Sequence, residues 1–515
     1  MSTASRVGLV AVIALGGYVG ATAMVGGRVK TELDANAAAI TQQLPFAKVL
    51  EQKYDKGVLS STRTTRLQLG CVQMPPDEQG QPRPREPLVV SWRDTISHGP
   101  LPGLRSVGAA SIDSEIEMSD SAKRALEKLF GKDKPLTIRT LVGWDGSTRT
   151  QISSPKAQLN DPQNGEVIWS GLSGTIVRGA GKAAQSQTDI TIPNLTVKSP
   201  QGGDHMIFNQ ARLHFDGPGA ADNIWVSVGK GDFDLASIEM QITPKRGANA
   251  GRTIKGTISD LRFHSENMLE NGMLNGKGTI SGKARFGDTV INQFLMDVST
   301  KNIHATTYAS MMKAMMTQSF SCDAEVASPA QTLQAVQADL LALLVHNPEY
   351  SMDRMVLDID GHKGEISYTF GVKDAAANDS QTPLPLLLLS KGYVKGAIKL
   401  PLSWLDKMAA IQPGRNDADA EEGEESEGTE TEDGTAAASP AAQPNRSDMA
   451  RMMLDRLAAQ GYVVLDQESA STTFSFAQGK IEVNGRPFAM PGMAGRPTAP
   501  QTLPMAPEAP MHSPH

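Results

Sequence analysis

A chain of 515 residues is long enough for two or three ordinary domains or for one elongated sheet system. With 20% charged and only 5% aromatic side chains, its core must be built mainly from Val, Ile, Leu, Met and Ala. The formal net charge of −7 is local in origin: ten acidic residues lie between Asp417 and Asp433, and without them the remainder carries +3. Neither figure gives the strongly basic balance that nucleic acid attracts.

From Val7 to Gly27 no charged residue occurs over twenty-one positions, about the length a helix needs to cross the hydrocarbon core. Arg6 precedes the run, and Arg28 and Lys30 follow it. Ala21-Thr22-Ala23 fits the small-x-small pattern of signal cleavage, but the apolar run continues past it to the basic pair, so a retained single-pass anchor over residues 1–30 is the better reading. The flanking positive charges nearly balance and do not set the orientation. The short tail before the apolar run suits a signal anchor, which places the body in a bacterial periplasm with the anchor in the inner membrane. Gly16 and Gly20 form a G-x-x-x-G that allows two such helices to approach closely as a homodimer, although glycine is common in membrane helices for other reasons.

Residues 31–50 are rich in Ala and Gln and read as a helical stalk. An antiparallel β body is expected over 51–305, with "VLSSTRTTRLQL" (58–69) as a strand with one face in water. Short β-rich segments separated by Gly, Asn, Asp or Pro recur from about residue 135 to 300, including 189–192, 195–197, 207–215, 254–263 and 278–286. A helical insertion with four methionines (311, 312, 315 and 316) spans 306–350, and strands resume over 351–415. Residues 416–446 form an acidic low-complexity linker, 447–490 a helix and a closing hairpin about Gln478-Gly479, and 491–515 a Pro, Ala and Met-rich tail. The expected fold class is α+β, mostly β: a transmembrane helix followed by a large antiparallel sheet, curved or elongated.

Three stretches carry a resemblance. "KYDKGVLSSTRTTRLQL" (53–69), "SHGPLPG" (97–103) and "TTFSFAQGKIEVNG" (472–485) resemble the YdgA-like family of bacterial envelope proteins, with Tyr54, Gly57, Ser60, His98, Gly99 and Pro100 as the specific positions. The resemblance implies one inner-membrane anchor, a periplasmic body and no assigned activity.

Catalytic, cofactor and metal motifs do not emerge. Nine histidines are scattered, without H-E-x-x-H or H-x-H, and there is no C-x-x-C, G-x-S-x-G, Walker loop or dinucleotide fingerprint. His98 therefore reads as a capping or packing residue where a strand ends at Gly99 and Pro100. Cys71 and Cys322 are the two cysteines, and spacing alone does not decide whether they pair. The expected function is non-enzymatic: a membrane-tethered body binding a lipid, another hydrophobic ligand or an envelope protein, similar only in texture to lipid-handling proteins of the AsmA kind. The alternative is a hydrolase or other enzyme with a dispersed site.

Overall fold

The computed structural model describes residues 41–488, with short interruptions and one long one at 405–445. The anchor, Gly16, Gly20, Pro100, the acidic linker up to 445 and the tail from 491 lie outside the described residues. No described helix is long and apolar enough to cross a membrane.

One antiparallel sheet accounts for every described strand. It begins with β1 (Ala47–Lys56), β2 (Ser60–Val72), β3 (Glu86–His98) and β4 (Ala110–Glu117), followed by helix α1 (Asp120–Phe130). Then come β5 (Thr137–Val142), β6 (Thr148–Ser154), β7 (Ala157–Asp161), β8 (Gly165–Trp169), β9 (Leu172–Arg178) and β10 (Gln185–Lys198). The long strands β11 (His205–Pro218), β12 (Gly229–Ile242), β13 (Ile254–Glu270), β14 (Met273–Phe286) and β15 (Thr289–His304) lead to helices α2 (Ala305–Ser319) and α3 (Pro329–Leu344). After β16 (Glu349–Ile359) and β17 (His362–Val372), helix α4 (Leu384–Lys391) precedes β18 (Gly392–Pro401). Helix α5 (Arg446–Ala459) precedes β19 (Val464–Leu465), β20 (Ser469–Ala477), β21 (Lys480–Val483) and β22 (Arg486–Pro487).

The topology is close to a pure meander. Each long strand from β10 to β18 pairs with its sequence neighbour, even where helices intervene between β15 and β16 and between β17 and β18. Two departures occur. β6 pairs with β9, and the β7–β8 hairpin fills the remaining edge of β10 beside β9. β18 pairs with β20, whose outer edge is shared by β19 and β21.

The sheet is bent back on itself. Phe46 stacks on Phe320 just past α2, the Cys71 amide donates to the Phe320 carbonyl at 2.9 Å, and Cys71 is disulfide-bonded to Cys322. Strand β2 and strand β15 are eleven pairings apart, about 53 Å along the sheet at ~4.8 Å per strand, yet the fifteen residues of α2 span only about 22 Å. A flat sheet cannot meet that closure. The sheet must therefore curl between β2 and β15, in addition to the ordinary right-handed twist of its strands.

A crease crosses the middle of the sheet. In β10, β11, β12 and β13 the bulky apolar positions take one three-residue step, Ile192 to Leu195, Phe208 to Ala211, Leu235 to Ile238 and Ile258 to Leu261. Gln210 (φ 50°) and Asp260 (φ 53°) sit within two of these steps in left-handed backbone, which resets the alternation. The register confirms the reset: β14 keeps strict alternation through Ile280, Gly282 and Ala284, while Phe263 pairs with Ile280 and Ile258 with Ala284, so both apolar runs lie on one face. The side chains of Asn194, Asn209 and Ser237 hydrogen-bond in sequence along the crease, at 2.8 and 2.9 Å.

Several expectations need correction. Ala47–Leu50 belong to a strand rather than a helical stalk, because pairing with Val49↔Leu67 and its neighbours overrides local helix propensity. The β body contains a helix, α1, and the expected β continuation after residue 351 contains α4. The segments 189–192 and 195–197 are one creased strand. The closing hairpin is as expected, with Gln478 and Gly479 both at positive φ.

Candidate functional site

Residues paired directly across an antiparallel ladder share a face, so a row of pairs can be followed from strand to strand. One row runs Ile138, Ile152, Gly174, Ile190, Leu213 and Phe233 across β5 to β12. It continues through Phe263, Ile280, Met296, Met355, Ile366 and Ile398 across β13 to β18. Twelve consecutive strands thus contribute no polar side chain to this row, a ribbon about 53 Å long.

The adjacent row, one residue along each strand, is polar throughout. It reads Asp113, Arg139, Gln151, Thr175, Asp189 and His214, then Asp232, His264, Thr279, Asp297 and Arg354. Its members bond across strands: Arg139 to Asp113 at 2.7 Å, His214 to Asp189 and His264 to Asp232 at 2.7 Å, and Arg354 to Asp297 at 2.9 Å. The hydrogen bond that His214 Nδ1–H donates to the Asp189 carboxylate, with Asp232 and Asp216 nearby, raises the His214 pKa above its usual value.

The apolar face changes character along its length. Near β3 to β9 it is sealed: Ile96, Ile138 and Ile152 are 0–1% exposed, in clusters made of neighbouring strands and their connections. From β10 onward it opens, and Leu213 and Phe263 are both 41% exposed. Tyr350, Tyr368 and Phe370 gather on the same face with ring centroids 5.1–6.4 Å apart. Gly396 lies between Tyr368 and Phe474 in the register, and a β-carbon there would fall 2.4 Å from the Phe474 ring. No second sheet covers this open stretch among the described residues.

At its narrow end the apolar ribbon gives way to a buried polar group. Continuing the same row, Ile138 pairs with Ser114, Ser114 with Asp94 and Asp94 with Arg63. Arg63 and Asp94 are each 5% exposed, and Ser114 Oγ donates to Asp94 at 2.6 Å. Burial pushes the Asp94 pKa up, opposed by the Ser114 hydrogen bond and the Arg63 charge.

The described family-motif positions, Tyr54, Gly57, Ser60, His98 and Gly99, come together at one end of β1, β2 and β3. Tyr54 packs against the cluster of Ile96, Ala110, Ile112 and Val142. Gly57 follows β1, where a β-carbon would lie 2.2 Å from the Ser60 carbonyl, and Ser60 pairs with Ser97. His98 ends β3, with Nε2 2.9 Å from Ser61 Oγ. Gly99 donates its amide to the Ala109 carbonyl, and a β-carbon there would be 2.2 Å from the Gly108 carbonyl. These glycines are required by close backbone approach. The Ser61–His98 contact was not legible in the sequence, where Ser60 stood out instead; Ser61 is only 2% exposed.

A polar groove of about 410 Å³ lies on the opposite face of β16 to β21, lined by Asp353, Thr369, Lys395, Ser475 and Glu482 among others. No group of three or more His, Cys, Asp or Glu side chains that could hold a metal occurs among the described residues.

The chain matches the family described as "Bacterial protein of unknown function (DUF945)" over residues 3–491. No curated protein and no solved structure matches it.

Proposed function

The chain belongs to this bacterial family of unknown function, and from the geometry of its sheet we propose that it is a non-enzymatic, membrane-tethered envelope protein that binds an acyl-chain lipid along its apolar ribbon. The carrying observation is the row of twelve strands without a polar side chain, from Ile138 to Ile398, over whose open part no second sheet lies among the described residues. An acyl chain is narrow, long and without hydrogen-bonding needs, which fits a surface that offers area and no directional partner. The Cys71–Cys322 disulfide supports a body in an oxidising compartment such as the periplasm, and the uncharged run Val7–Gly27 supports a tether in the inner membrane.

The test is mass spectrometry of lipids extracted from the full chain after mild detergent purification. Acyl lipids should copurify with the native protein and fall several-fold in a Phe263→Asp, Leu213→Asp variant that keeps its disulfide. Absence of bound lipid in the native chain would sink the proposal.

A further inference from the structure

We propose that one end of the strands is a bilayer-contact rim, resting on the surface of the membrane that holds the tether. This rests on the tethered reading above and deepens it by saying which part of the sheet faces lipid.

The described chain begins at this end. Gln43 accepts hydrogen bonds from the Ile224 amide (2.9 Å) and Trp225 Nε1 (3.1 Å), and Lys313 of α2 donates to the Gln42 carbonyl at 3.0 Å. Val226 packs with Ala305 and Ala309 of α2 and with Leu274. The Ala305 amide donates to Gly272, at the tip of the β13–β14 hairpin. Pairing of β12 with β13 starts at Gly229↔Asn267, so the tip from Met268 onward overhangs its neighbour.

Large apolar side chains are exposed at the same strand ends: Ile224 (41%), Met268 (47%) and Leu269 (47%). Farther along, α3 packs against residues 377–381 and α4 follows, leaving Leu386 (56%), Leu388 (41%) and Leu389 (52%) in the open. Exposed apolar tips on short protrusions gain free energy by entering a headgroup region, and Trp225 sits where such interfaces favour tryptophan. The thirteen residues from Arg28 to Ile40 separate the uncharged run from Thr41. Even fully extended they reach at most about 45 Å, so a tether in the bilayer holds this end of the sheet close to lipid. The occupant is therefore a phospholipid surface.

The full chain is reconstituted into phosphatidylcholine vesicles containing a nitroxide-labelled lipid, with an environment-sensitive fluorophore on a single introduced cysteine; the native pair is held as a disulfide. Leu269→Cys and Leu386→Cys report the rim. His362→Cys, at the opposite strand end where Ile359 pairs with His362, is the control. Quenching at least twofold greater at both rim sites than at residue 362 is expected. Equal quenching at all three sites, quenching at neither rim site, or failure of the chain to float with vesicles overturns the proposal. The rim signal should persist in the Phe263→Asp, Leu213→Asp variant, so loss of ribbon-bound lipid and loss of rim contact are read separately.

Discussion

Cys71 in β2 and Cys322 beyond α2 are joined across 251 residues, and their bond closes a ring formed by twelve strands, one helix and the disulfide itself. Because the closed loop is long, the bond restricts the unfolded chain strongly. Cys71→Ser or Cys322→Ser should lower unfolding stability by about 2–5 kcal/mol, measured by denaturant titration with and without reductant. The native protein should lose a similar amount on reduction, and the serine variants should be insensitive to it.

Arg63 and Asp94 form a buried opposite-charge pair at the sealed end of the ribbon. Removing one partner strands the other charge, so Arg63→Met should cost about 3–5 kcal/mol, whereas Arg63→Met with Asp94→Leu should recover much of it. The Asp94 pKa is raised in the fold above 3.8, so the folded state binds its proton first. The Asp94 contribution therefore makes stability fall as pH rises from the unfolded value through the folded one. The Asp94→Leu background should lack that component in thermal melts over the same pH range.

Gly396 leaves room for the Phe474 ring on the apolar face, and its β-carbon position also lies 2.7 Å from the Ser367 carbonyl. Gly396→Ala should destabilise the C-terminal strands by about 1–3 kcal/mol through overpacking. Faster hydrogen exchange in β17, β18 and β20, with β5 and β6 unchanged, would show the effect to be local.

His214 should titrate above its ordinary value of 6.5 because Asp189 bonds its Nδ1. Its contribution is fully present below the unfolded pKa and is lost as pH rises through the folded one. Asp189→Asn should move the His214 titration downward in an NMR experiment, and salt should reduce the difference because the pair is largely exposed.

Strands β11, β13 and β14 were legible because hydrophobic residues recur at every second position along most of their length and Gly and Asn turns punctuate them; of β12 only residues 238–242 stood out, and the β-rich look of 225–228 belongs to a turn and connection rather than a strand. The crease was not legible, since a three-residue step in each of four strands breaks period-two reading; residues 189–197 therefore looked like two strands. The sealed end was also hidden. "SSTRTTRLQL" reads as a strand with one face in water, and Thr62, Thr64 and Arg66 are indeed on a more open face; what its polarity hid is that the inner face, Ser61, Arg63, Thr65 and Leu67, is buried although three of the four are polar. Hydropathy records side-chain type, whereas burial depends on which parts of the chain come together, and residues 71 and 322 meet only in the fold. The ribbon itself needed the register: no single strand carries more than a short stretch of it.

The nearly sequential pairing of the strands bears on how such a large sheet can form. Each new hairpin needs only the strand just made, so ordering can spread outward from any early hairpin with little loop-closure cost. The bond between Cys71 and Cys322 is different, since it unites parts of the polypeptide that emerge 251 residues apart. Cys71 therefore has no native partner until the chain has been made through residue 322, so an earlier oxidation of Cys71 can only give a non-native bond.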